Sequence, residues 1–242
     1  MPMSKKIKRR PQKKALQQRA NVTNVPRLDP VALTKVASAT NTASAWSDLG
    51  VAYTQAGNYH KAKSAFIKAI SLDPNRGASY FNLGNLELEH GFTEQAITQY
   101  ELATIKAPEN GNIQLNLGNA LRKLRQFKES EAAYKRAIAL DPEYLVPPVN
   151  LGNLFLEMAK LNDSVAWYRH ALDRDDSCLP ALIGLGNAYC QQKVYEAGER
   201  ALHQAIEIAP NSAEAHCNLS HLYLATDKPE LAIEHATRAI QL

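Results

Sequence analysis

Three side chains with metal-binding chemistry fall near the C-terminal end of the chain. Cys217 and His221 are four residues apart, which puts them on one face of a helix, and Cys190 falls where a neighbouring helix could carry it close. A thiolate–imidazole trio is the protein's share of an open zinc site. Nothing in the pattern supplies the groups that orient metal ligands, and an unpaired cysteine usually acts as a small core hydrophobe. No metal or other cofactor is expected. Gly184-Leu185-Gly186 has the glycine spacing of a phosphate loop, but it lies inside a helical pattern with no strand before it. His60, His90, His170, His203 and His235 pair with no nucleophile, and neither H-E-x-x-H nor G-x-S-x-G occurs. The chain is not expected to be an enzyme.

The side chain that does recur is the carboxamide. Asn82, Asn116, Asn150 and Asn218 each precede a leucine, and Asn85, Asn119, Asn153 and Asn187 each follow one by two residues. Asparagine is a mediocre helix former, so eight of them at fixed places within helices need a reason beyond propensity. A carboxamide both donates and accepts, so a row of them can pair with the N–H and C=O of an extended peptide whatever its sequence. The expected binding surface is Asn82, Asn116, Asn150 and Asn218, with Phe81, Leu115, Val149 and Ile183, one position earlier in the pattern, receiving ligand side chains. Asn85, Asn119, Asn153 and Asn187 are expected to join neighbouring helices instead.

The elements that must position these residues follow from the leucines. Leu49, Leu83, Leu117, Leu151, Leu185 and Leu219 are each 34 residues apart. A fixed period of this size marks a stacked helical array. Each unit holds two stretches with apolar residues three and four apart, as in two amphipathic helices. In the first, a helix from Ala43 to Ala56 and another from Tyr59 to Leu72 are joined at Gly57-Asn58 and ended by Asp73-Pro74-Asn75. Gly50 and Ala62 are small enough to let the two helices approach, while Trp46, Tyr53 and Phe66 fill the space between neighbours. No unit can bury both faces alone, so each leans on the next. The units are 43–76, 77–110, 111–144, 145–178, 179–212 and 213–242, the last incomplete. Residues 1–42 form a basic, largely disordered tail and a join, in which Asp29-Pro30 reads as an N-cap and first helical residue before a short helix over Val31 to Ser38.

The residues Trp46, Leu49, Gly50, Tyr53, Ala62, Phe66, Ala69 and Pro74 resemble the tetratricopeptide pattern, and later units keep most of it. That resemblance covers about four-fifths of the chain. It implies an all-α, right-handed superhelical solenoid of helix-turn-helix repeats whose first helices line a concave surface. It also implies a protein or peptide partner in that groove and no small-molecule substrate. The asparagine row is similar to the one in the repeat superhelix of O-GlcNAc transferases. The chaperone-tail clamp found in some members needs basic residues where this chain has Phe81, Val146 and Asn150, so that role is not expected.

Several departures carry expectations of their own. Pro147 and Pro148 should delay the start of their helix. Asp176 stands where other units close with proline. Gly198 replaces a small alanine and should loosen its helix by up to about 1 kcal/mol, making the fifth unit the softest. The sixth unit lacks a polar closing helix, so a partner or a further stretch of chain is expected to cover it. The substrate-recruiting part of a longer glycosyltransferase or sulfotransferase is the alternative reading.

Charge is unevenly spread. The first 28 residues hold nine Lys/Arg and no acid, whereas residues 43–242 hold 18 Lys/Arg against 23 Asp/Glu. The tail suits an anionic partner, and a nucleic-acid-associated factor is a third reading, recognisable by steep salt dependence. No apolar run approaches the ~18 residues of a membrane span, no secretory signal is apparent, and three cysteines without C-x-x-C spacing suit a reducing compartment. A cytoplasmic protein, or a nuclear one if eukaryotic, is expected.

Overall fold

The computed structural model describes residues 29–242, in which every regular element is a helix. The expectation of a disordered basic tail, and of an anionic partner for it, falls on residues outside this range up to residue 28. A leading helix α1 (Pro30–Thr40) is followed by six helix pairs: α2 (Ala43–Gln55) with α3 (Tyr59–Leu72), α4 (Gly77–Glu89) with α5 (Thr93–Lys106), α6 (Gly111–Lys123) with α7 (Phe127–Leu140), α8 (Val146–Glu157) with α9 (Leu161–Leu172), α10 (Leu179–Gln191) with α11 (Tyr195–Ile208), and α12 (Ala213–Ala225) with α13 (Pro229–Gln241). The result is an all-α superhelical repeat fold.

Local chemistry sets the helix ends. Side-chain oxygens of Asp29, Thr42, Asn58, Asn110 and Ser212 each accept a backbone N–H in the first turn of the helix that follows. Between the two helices of every pair one residue takes a positive φ, and these six residues are also 34 apart: Gly57, Gly91, Arg125, Ala159, Lys193 and Asp227. Glycine accepts that backbone without strain, and the last four residues do not. The two prolines of α8 move its start to Val146, one residue later than the corresponding helices begin. Asp176 stands in place of the closing proline, yet α9 ends early at Leu172, and Arg174 and Asp175 both turn their N–H groups back to the carbonyl of Ala171.

Packing follows the pattern of small and large residues. A Cβ added at Gly50, Gly84, Gly118 or Gly152 would lie 2.5 to 2.7 Å from the ring of Phe66, Tyr100, Tyr134 or Tyr168 respectively. The rings cross their partner helix at the glycine and are completely buried or nearly so. Helix α11 runs unbroken through Gly198, where a Cβ would press within 3.1 to 3.3 Å of the carbonyl of Gly186, the sulfur of Cys190 and Leu222. This glycine therefore serves a close approach, where a loosened helix was expected. Between the first and second pairs, the buried carboxylate of Glu87 accepts from Lys63 at 3.0 Å. Successive first helices (α2, α4, α6, α8, α10, α12) touch one another, whereas no two second helices approach within 8 Å between Cα atoms. The first helices thus occupy the inside of the curve.

The last pair is locked by histidines. His216 is buried and sets its Nε2 3.2 Å from the carbonyl of Pro210 and its Nδ1 2.8 Å from Nδ1 of His235. A carbonyl only accepts, so His216 donates from Nε2 and, when neutral, must accept at Nδ1 from His235. Burial, with His216 and then His203 adding like charge against the pull of Glu234, lowers the pKa of His235 below 6.5.

The backbone series predicts that Ala159→Gly stabilises the fold by about 0.5–1 kcal/mol and that Gly91→Ala costs about 1 kcal/mol, both read from urea midpoints. The histidine pair predicts a pH effect of definite sign. Folded His235 holds its proton more weakly than the unfolded chain does, so unfolding takes up a proton and stability falls as pH drops through 6.5 toward the folded pKa. The melting temperature should decline from pH 7.5 to 5.5, and less steeply in His235→Gln.

Candidate functional site

The inner face carries one motif three times over. The hydroxyl of Tyr100 donates to Oδ1 of Asn85 at 2.8 Å, and Nδ2 of Asn116, from the next pair, donates to the same oxygen at 2.9 Å. Tyr134, Asn119 and Asn150 repeat this at 2.7 and 2.8 Å. Tyr168 donates to Asn153 at 2.6 Å, and there the series stops, because the next position is Gly184. Each complete link joins a second helix, the first helix of the same pair and the first helix of the following pair. The tyrosines reach this surface from behind only because a glycine lets each ring cross.

The two asparagine positions are therefore partners in one bond. Asn116 and Asn150 each donate from Nδ2 to the neighbour and keep Oδ1 free of partners among the described residues. Asn85 and Asn119 spend their oxygens and keep Nδ2. A donor and an acceptor thus remain unspent along the inner face at each link. Among the described residues Asn82 makes only a long 3.4 Å contact with Ser47, and Asn218 makes no hydrogen bond. All four of the predicted binding asparagines are half-buried.

The apolar members of the predicted site are placed differently from one another. Phe81 is half-buried, with its ring centroid 6.0 Å from that of Tyr100. Leu115, Val149 and Ile183 are only 5 to 7% exposed and belong to the core between successive pairs. Adjacent first helices pack there, so these three back the surface as walls and leave little area open for contact.

Burial raises the hydroxyl pKa values of Tyr100, Tyr134 and Tyr168, the last to about 12, so all three stay neutral donors across the physiological range. Their part in the link was missed from sequence. A signal was present: Asn85, Asn119 and Asn153 are each followed 15 residues later by tyrosine, whereas Val51 is followed by Phe66 and His221 by Ala236. Asn187 has Leu202 at that place and takes its bond from Gln191 instead, at 3.2 Å. The zinc trio does not assemble: Cys217 is exposed, Cys190 packs against the Leu202–Leu219 cluster, and no three metal-ligand side chains converge among the described residues.

Tetratricopeptide repeat models match residues 43–76, 81–144 and 213–242, more than half of the chain. The chain is a tetratricopeptide repeat protein. It is accordingly a scaffold for protein–protein interaction. No curated protein matches it in sequence. Among solved structures it is similar to YrrB, a tetratricopeptide protein with an unusual peptide-binding site (22% identity, 77% of this chain and 97% of that one, TM-score 0.63). It is also similar to PilF of Pseudomonas aeruginosa (19%, 80% and 88%, TM-score 0.67) and to a tetratricopeptide protein of Parabacteroides merdae (14%, 88% and 84%, TM-score 0.68). At these identities the likeness concerns the fold. No helix among the described residues is long and apolar enough to cross a membrane.

The shared oxygen predicts energetic coupling between residues that belong to different repeats. Tyr134→Phe and Asn150→Ala should each cost about 0.5–1.5 kcal/mol. Their double-mutant cycle should give a coupling of at least about 0.5 kcal/mol, and additivity in urea unfolding would show that Asn119 does not link them.

Proposed function

We propose that this repeat scaffold holds an extended segment of a partner protein along its inner face, with Asn82, Asn116, Asn150 and Asn218 contacting the partner's backbone. The observation that carries this reading is the incomplete use of the carboxamides. Half-buried polar groups that keep a free donor and a free acceptor at successive repeats match the alternating N–H and C=O of an extended chain. A rigid scaffold that repeats such groups suits contact, because the ligand meets groups already held in place by the tyrosine bonds. The peptide-binding site that gives YrrB its description offers a parallel at the level of fold.

The electrostatics favour a partner segment that carries basic residues. On the first helices, Asp48, Glu89, Glu157 and Glu214 outnumber Arg122 and Lys123, and Glu157 lies 3.5 Å from Arg122 as an ion pair. An acidic inner face speeds encounter with a basic segment and disfavours an acidic one.

Affinity capture from a lysate, followed by mass spectrometry, tests the proposal when the wild-type chain is compared with Asn116→Ala/Asn150→Ala. The double variant should lose at least about tenfold in captured partner. It should still fold, with a stability loss of about 1–3 kcal/mol from the two deleted bonds. Arg136→Ala, on the outer helix α7, should capture normally. Undiminished capture by the folded double variant would make the asparagine row purely architectural.

A further inference from the structure

The row of asparagines breaks at Gly184, and the break leaves a cavity in the inner face. Its volume is 240 Å³, and it lies between α8, α10 and α12. Gly184 is small because Tyr168 demands it: a Cβ there would fall 2.4 Å from the ring and 2.8 Å from the hydroxyl oxygen. Where a carboxamide would have come to share Oδ1 of Asn153, the opening is bordered by Asn153, Tyr168, Asn187 and Asn218, with Glu214 among them. The apolar part of the lining is Val149, Leu156, Pro180 and Ile183.

The polar groups around this opening are poor in donors of charge and rich in unspent acceptors. Oδ1 of Asn153 accepts one hydrogen bond, where the corresponding oxygens of Asn85 and Asn119 accept two. The hydroxyl of Tyr168 donates to that same oxygen of Asn153 at 2.6 Å. Asn218 has no hydrogen-bond partner among the described residues. Among the described residues Glu214 forms no ion pair or hydrogen bond, and it is the one carboxylate on the cavity wall, with no lysine or arginine beside it. Its charge reaches Tyr168 across the cavity and helps to disfavour the phenolate.

We propose that this cavity is a specificity pocket for a basic side chain, lysine or arginine, of the segment held along the inner face. A long basic side chain lays its methylenes on apolar wall and keeps its charged head among polar groups. Here the methylenes have Val149, Pro180 and Ile183. The head has the carboxylate of Glu214 and the open side of Asn153 Oδ1 as acceptors, with Asn218 at the rim. An acidic side chain would meet the like charge of Glu214, and an aliphatic one would leave the same acceptors facing apolar surface without donors. In the complete links the matching Oδ1 is occupied by an asparagine from the next repeat, so the open oxygen at Asn153 marks this repeat and would fix the register of the bound segment. The pocket rests on the inner-face reading above.

Titration of the full-length chain with blocked amino acids, followed by NMR of backbone amides, reads the pocket without the partner. Nα-acetyl-lysine and Nα-acetyl-arginine methylamides should shift the amides of residues 183–187 and 214–218. The norleucine and glutamate analogues should not. Glu214→Gln, which keeps size and removes charge at an exposed site, should weaken the basic ligands roughly threefold to fivefold. Glu230→Gln, equally exposed on α13, should leave them unchanged. Absence of shifts with the basic ligands, equal shifts with norleucine, or full binding by Glu214→Gln overturns the pocket while leaving the capture experiment with Asn116 and Asn150 to decide the inner-face reading by itself.

Discussion

Two hydrogen bonds converge on one carbonyl oxygen in the side chains of Asn85 and Asn119, and most of the inner architecture answers to that convergence. One donor is a tyrosine hydroxyl that has crossed its own repeat from the outer helix. The other is a carboxamide from the next repeat. A buried phenol needs a partner, and a ring can cross a helix only where no side chain stands in its way. The glycine, the tyrosine and both asparagines are thus one unit of four residues, and loss of any one leaves a clash or an unmet polar group. Stability in a stacked array is a sum of repeat terms and nearest-neighbour terms. This unit contributes to both.

The departures from the unit are internally consistent. In the first repeat Phe66 has no hydroxyl, and Val51 stands where an asparagine would have no phenol to accept from. In the fifth, Leu202 lies against Gly186 at a position that still excludes a Cβ, and Asn187 turns to Gln191. The central repeats, from Asn85 to Tyr168, therefore hold the polar seam, while the first repeat and those beyond Gly184 rely on apolar contact between the same helices.

Much of this was legible in the sequence. The 34-residue spacing of Leu49 through Leu219 gave the number and phase of the helix pairs, because only the turn-to-turn geometry of stacked helices imposes such a strict period. Gly57 and the proline at 74 marked helix boundaries through backbone chemistry that does not depend on context. The side-chain network was less legible, since it depends on which face of a helix meets which neighbour. Leu115, Val149 and Ile183 have the same periodicity whether they face a groove or the next helix, and the structure puts them against the next helix. Tyr100 reads as an aromatic core residue until the depth of its hydroxyl is known. His216 and His235 are 19 residues apart with no local pattern to join them, and only the packing of α12 on α13 does so.

The placement of contact between successive repeats has a mechanical result. First helices touch along the inside of the curve and second helices never meet, so any change of curvature or pitch pivots about the inner seam. Displacements then grow with distance from that seam, as along a lever arm. The outer helices meet one another nowhere within 8 Å between Cα atoms, whereas the carboxamides sit almost on the axis of rotation. A chain lying along the inside would therefore feel the least of the scaffold's breathing, and its spacing would be kept even while the outer surface changes shape.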